Sequence, residues 1–114
     1  MKKIFLAILI LSALAVAFVI GSPLLRASFD GGSATDIKID NFSFTPPTIT
    51  VHAGAHVRWT NRDDVPHTVV SEDKSFRSRA LDTDEAFDYT FSKPGTYKYF
   101  CSLHPNMTAT VVVK

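Results

Sequence analysis

Gly95-Thr96-Tyr97-Lys98-Tyr99-Phe100-Cys101-Ser102-Leu103-His104-Pro105-Asn106-Met107-Thr108-Ala109-Thr110-Val111-Val112-Val113 is the stretch on which the fold turns. Tyr97 and Tyr99 alternate with Lys98, and Thr110 to Val113 form a mostly β-branched run, so two strands are expected, Gly95–Phe100 and Thr108–Val113. Only six positions separate Cys101 from Met107, which leaves room for a tight connection and nothing else. Pro105 stiffens that connection by fixing one backbone dihedral. A thiol, an imidazole and a thioether stand on it in order, at Cys101, His104 and Met107, each three residues from the last.

The same alternation extends upstream. Ile37 and Ile39 stand between charged neighbours, Thr48-Ile49-Thr50-Val51 follows Pro46-Pro47, Val57 and Trp59 alternate with His56, Arg58 and Thr60, and Phe87, Tyr89 and Phe91 alternate with Asp88 and Thr90. Val69-Val70 continues beyond His67. Ala53-Gly54, Asn61 to Asp64 and Lys93-Pro94-Gly95 mark turns between these runs, and the carboxylates Asp63-Asp64 read as solvating one of them. The charged, weakly periodic segment from Glu72 to Glu85 reads as a long loop with room for one short helical turn. Short, regularly punctuated strands of this kind predict an all-β fold, a two-sheet antiparallel β-sandwich. The aromatic set Phe42, Phe44, Trp59, Phe87, Tyr89, Phe91, Tyr97, Tyr99 and Phe100 is assigned to its core.

A second imidazole, His67, lies in Val65-Pro66-His67-Thr68-Val69. Two ring nitrogens, one thiolate and a weak axial thioether form the ligand set of a blue-copper electron-transfer centre. Each residue has an ordinary reading when taken alone: a satisfied histidine, a core methionine, a buried small thiol. Ordered spacing, placement at a turn and an N-terminus of exported type favour a metal site built from His67, Cys101, His104 and Met107. The thioether favours copper over zinc, which would more often recruit a second cysteine, another histidine or a carboxylate. His52 and His56 flank a turn and lack a third partner, so they are read as surface residues.

The chain has 114 residues, enough for one domain. Lys2-Lys3 precede an apolar run of 17 residues from Ile4 to Ile20, broken only by Ser12. A basic start before an apolar run is the pattern of a secretory signal, and this length also reaches the low edge of a membrane span. Residues 1–27 are therefore read as a signal peptide or an N-terminal membrane anchor, and either exports the rest of the chain because the lysines remain cytoplasmic. Residues 28–35, with Ser28, Gly31, Gly32 and Ser33, form a linker, and the domain is expected over 36–114. With Lys2, Lys3 and Arg26 set aside, nine basic residues face eleven acidic ones, a net charge of −2 that is too mild to suggest nucleic acid. The single cysteine precludes an internal disulfide, and in an exported chain a metal-bound thiolate explains it best.

With these residues in view, the chain resembles the cupredoxins, the type 1 blue copper proteins, and among them most closely the amicyanins, with plastocyanins and pseudoazurins more distant. Asn41-Phe42-Ser43-Phe44, Gly54, Val57-x-Trp59-x-Asn61, Pro66-His67-Thr68-Val69, Phe91, Pro94-Gly95-Thr96-Tyr97 and the Cys101–Met107 loop carry the resemblance, and the short spacing between His104 and Met107 is the amicyanin-like feature. It implies a Greek-key sandwich with one copper per chain, held through the Nδ1 atoms of His67 and His104. It also implies a backbone N–H of Thr68 donating to the thiolate, Asn61 bracing the His67 loop, and a docking patch around Pro66, Leu103, Pro105 and Met107. Asn is frequent in the family where this chain has Thr68. The implied role is a one-electron carrier of the periplasm or the outer face of the cytoplasmic membrane, monomeric and without catalysis of its own. It would exchange electrons with redox proteins, by resemblance an amine dehydrogenase and a c-type cytochrome, and touch membrane only through its N-terminal segment. A protein that carries or stores copper for delivery is the alternative, although no methionine-rich or histidine-rich tract of the kind such carriers use is present.

Overall fold

Eight strands succeed one another along residues 34–114, the part of the chain that the computed structural model describes: β1 Thr35–Asp40, β2 Ser43–Thr45, β3 Thr48–Val51, β4 Ala55–Asn61, β5 Val70–Ser71, β6 Ala86–Phe91, β7 Gly95–Phe100 and β8 Thr108–Val113. The expected signal or anchor, and all but the end of the linker, lie outside the described residues. β1 opens at Thr35, one residue before the expected start of the domain. No described helix is long and apolar enough to cross a membrane.

The strands form two four-stranded sheets, β2-β1-β4-β6 and β3-β8-β7-β5. The architecture is the expected all-β sandwich, with one correction: the sheets are mixed. β1 runs parallel to β4, and β3 runs parallel to β8. Period-two alternation reports which face of a strand is buried but not the direction of its neighbour. Here direction is set by the chain's path. After the β1–β2 hairpin the chain crosses at Pro46-Pro47 to the other sheet for β3, then returns beside β1 as β4.

Burial obeys the alternation. Ile37 and Ile39 of β1, Val57 and Trp59 of β4, Phe91 of β6, Tyr99 of β7 and Val111 of β8 are all almost wholly buried between the sheets. Trp59 is the hub, with ring centroids of Tyr99, Phe76, Phe87 and Phe91 at 5.5, 5.6, 5.7 and 6.3 Å. The segment between β5 and β6 contains no helical turn. Isolated bridges pair His67 with Leu81 and Val70 with Arg77, and these carry Leu81 and Phe76 into the core.

Two elements depart from the expected pattern. β2 has only three residues, too few to display a period, so alternation does not reveal it. Phe42 is not in the core: it is 48% exposed, at the β1–β2 turn. That turn has positive φ at both Asn41 (52°) and Phe42 (55°), the geometry that matches the twist of a hairpin. Asn tolerates such a conformation, whereas a bulky aromatic residue resists it and needs outside support.

Candidate metal centre

β7 and β8 are joined by a loop that closes on itself. His104 N donates to Cys101 O at 3.2 Å, Met107 N to His104 O at 2.9 Å, and Cys101 N to Met107 O at 3.1 Å. This backbone ring turns the Cys101 and His104 side chains toward the end of the sandwich where the segment preceding β5 brings His67. That segment is held by reciprocal backbone hydrogen bonds between His67 and Leu81, at 3.1 and 2.7 Å.

One donor atom from each of His67, Cys101 and His104 lies within 4.8 Å of the other two. Cys101 Sγ is 3.7 Å from Nδ1 of His67 and 3.7 Å from Nδ1 of His104. His67 and Cys101 are fully buried, and His104 is half-buried. Met107 is buried, and its side chain lines a surface hollow of about 410 Å³ together with His104, Phe42, Leu103, Pro105 and Asn106. Leu103 and Pro105 are exposed in its lining, and Pro66, next to His67 in the chain, is exposed as well. Among the described residues, His52 and His56 join no such cluster, and His56 is engaged by Thr90 and Asp88, each at 3.2 Å.

The tautomer of His67 is set by a residue that the sequence does not mark. His67 Nε2–H donates to Asp63 Oδ2 at 2.8 Å, which leaves a lone pair on Nδ1 facing the sulfur. The same oxygen accepts the Phe42 backbone N–H at 2.9 Å and so steadies the positive-φ turn. The N–H of Phe42 foremost, with His67 also contributing, holds the Asp63 carboxyl below its ordinary range against the opposing effect of burial. Phe42 then sits edge-on to both imidazoles, with centroids 5.4 Å from His67 and 4.9 Å from His104. The site therefore takes Phe42 from the expected core and Asp63 from the expected solvated turn. Neither alternation nor spacing shows that a hairpin turn from one sheet reaches over loops of the other.

Asn61 braces the same region. Its amide donates to Val65 O at 2.9 Å and Leu81 O at 2.8 Å, and its side-chain oxygen accepts Asp63 N–H at 2.9 Å. Thr68 N donates to Cys101 Sγ at 3.3 Å. Burial pushes the Cys101 thiol up, but hydrogen bonding around the sulfur, foremost the Thr68 backbone N–H, outweighs it and brings the thiol down to about 6. The sulfur is therefore largely thiolate at neutral pH, the form that binds metal.

The lowered thiol has a sign that can be checked without metal. Cys101 goes from an ordinary 9.0 to about 6 in the folded state. It therefore contributes stability that is complete above pH 9 and is lost as the pH falls through 6. Urea titrations of metal-free protein are expected to show stability climbing across that interval more steeply than in Cys101→Ser. Equal slopes would mean that the thiol is not perturbed.

The cupredoxin-like domain family model matches residues 8–113. Amicyanin from Paracoccus versutus is 36% identical over 87 residues, covering 71% of this chain and 65% of that protein, so the match leaves about a third of that relative unspanned. Amicyanin-alpha from Methylorubrum extorquens is 34% identical over 86 residues, 71% of this chain and 72% of the relative. Plastocyanins align more distantly. Among solved structures, a purple cupredoxin from Nitrosopumilus maritimus superposes with a TM-score of 0.68 at 33% identity, covering 70% of this chain and 99% of that one.

Proposed function

The chain belongs to the cupredoxin-like domain family, whose members carry one copper, and we propose that His67, Cys101 and His104 would hold the copper strongly, with Met107 as a weaker fourth donor. The protein is a one-electron carrier, in keeping with its amicyanin and plastocyanin relatives. The observation that carries this reading is the convergence of two ring nitrogens and one buried sulfur within 4.8 Å. That donor set suits copper in both valences, because sulfur favours Cu(I) and imidazole accepts either. Bound there, copper supplies a reversible one-electron couple.

The rest of the work belongs to the chain. Two sheets and the closed Cys101–Met107 ring keep the donors in place when charge changes. Asp63 keeps the His67 tautomer fixed, and Asn61 keeps its loop in register. His104, half-buried among Phe42, Leu103 and Pro105, gives electrons a short route to the surface. Phe42 and Leu103 are exposed large apolar residues, at 48% and 49%, and a redox protein would dock over them and Pro66. Such interfaces are small and transient, which suits rapid exchange. The basic-apolar N-terminus supports placement outside the cytoplasm, as periplasmic protein or anchored to the outer face.

One equivalent of Cu(II) added to the protein is expected to give an intense visible thiolate-to-copper band and to remain bound through repeated reduction and reoxidation. No such band, or a colourless mixture, would remove the copper assignment. Copper that leaves to a chelator on the first reduction would replace the electron carrier with a copper-delivery protein.

A further inference from the structure

We propose that the side chain of Thr68, oriented by the Ser102 backbone N–H, is a second hydrogen-bond donor to the Cys101 sulfur and raises the site's preference for the reduced metal. The inference rests on the copper-binding reading, and it assigns work to a hydroxyl that this reading does not use.

Thr68 Oγ1 lies 3.7 Å from Cys101 Sγ, within reach of a sulfur acceptor, in addition to the backbone bond at 3.3 Å. A hydroxyl has one hydrogen and two lone pairs. One lone pair of Thr68 Oγ1 takes the Ser102 backbone N–H at 2.7 Å. Ser102 Oγ is also 2.7 Å away, so one hydroxyl of this pair donates to the other. In one arrangement Thr68 donates to Ser102 Oγ, and the sulfur is left with the backbone N–H alone. In the other, Ser102 O–H fills the second lone pair of Thr68, and the Thr68 hydrogen turns to the sulfur.

Charge and burial select the second. Cys101 is wholly buried, so no solvent can replace a missing donor, and a bond to a thiolate is roughly twice as strong as one between neutral groups. Ser102 is half-buried and can satisfy its own oxygen with water. A donor aimed at the thiolate draws density from the sulfur and disfavours the higher metal charge, because hydrogen bonding around this sulfur tunes the potential of such sites. The same oxygen ties Ser102, the residue next to the thiolate, to the segment that carries His67. One side chain thus fastens two ligand-bearing segments together.

The test uses copper-loaded protein equilibrated against a one-electron mediator at fixed ratio. Thr68→Val is expected to shift the reduced-to-oxidised ratio toward oxidised by about tenfold, the size of one hydrogen bond to a charged group. Thr68→Ser, which restores the hydroxyl, stays within about twofold of the native ratio. Thr68→Ala carries the same expectation as valine should the valine variant not fold. Ser102→Ala leaves the ratio unchanged, since the hydrogen on the sulfur belongs to Thr68. An increase in the reduced fraction for Ser102→Ala would mean that the Thr68 hydrogen had been on Ser102, and would overturn the proposal. An unchanged ratio in Thr68→Val, or an equal shift in Thr68→Ser, would overturn it as well. In the metal-free protein, Ser102 amide exchange is expected to quicken by about tenfold in Thr68→Val and not in Thr68→Ser. That measurement reads the Ser102 N–H bond that orients the Thr68 hydroxyl and stands if the native protein takes up no copper, so a failure of copper binding is distinguishable from a failure of the Thr68 placement.

Discussion

Cys101→Ser is expected to abolish the visible charge-transfer band and to weaken copper binding by more than about a hundredfold, beyond the range produced by changes to groups that only orient a ligand. The reason lies in the sulfur's position. It is equidistant, at 3.7 Å, from two ring nitrogens and is held as thiolate near neutrality. A serine hydroxyl in that place stays protonated, is hard rather than soft, and leaves two imidazoles to bind metal without the donor that favours Cu(I). The sandwich itself keeps its form, because serine is close in volume to cysteine. Visible and electron paramagnetic resonance spectra read the site, and far-ultraviolet circular dichroism reads the fold. A persistent band in the variant would mean that the colour arises elsewhere.

Trp59→Ala is the second large effect, and it acts on the frame. Trp59 is wholly buried at the centre of β4 and contacts rings from β6, β7 and the loop before β6. Removing it costs about 3–5 kcal/mol through lost transfer energy and a cavity that rigid strands cannot collapse. Stability of roughly 5–15 kcal/mol is all that such a fold has, so the melting point of the metal-free variant falls by roughly 15–30 °C. Calorimetry without metal is the measurement. A fall of only a few degrees would mean that the surrounding rings relax into the space.

The cluster is legible in the sequence because two of its members, Cys101 and His104, share one loop and the third, His67, sits beside a proline. Their order and spacing are local facts, and local facts survive in one dimension. Strand positions are legible for a related reason: residues such as Ile37, Val57, Trp59 and Tyr99 face inward at every second place. The parallel pairing of β1 with β4 and β3 with β8 is not legible, since it depends on when the chain changes sheets. Asp63 and Phe42 are hidden for the same reason. Their contact joins positions 21 residues apart, and a carboxylate in an acidic turn looks alike whether it meets water or a buried imidazole. Thr68 stands out in the sequence only for its backbone, because its hydroxyl gains meaning from Ser102, 34 residues away.

The ring of backbone hydrogen bonds from Cys101 to Met107 closes the connection between β7 and β8 on its own main chain. Register between those strands is fixed by their own ladder, from Gly95 opposite Val113 to Phe100 opposite Thr108. Residues 102–106 can therefore be lengthened, shortened or exchanged without asking the sheets to re-pair. Selection can revise the side chains of this small cassette while the ladder beneath it keeps the two strands in register.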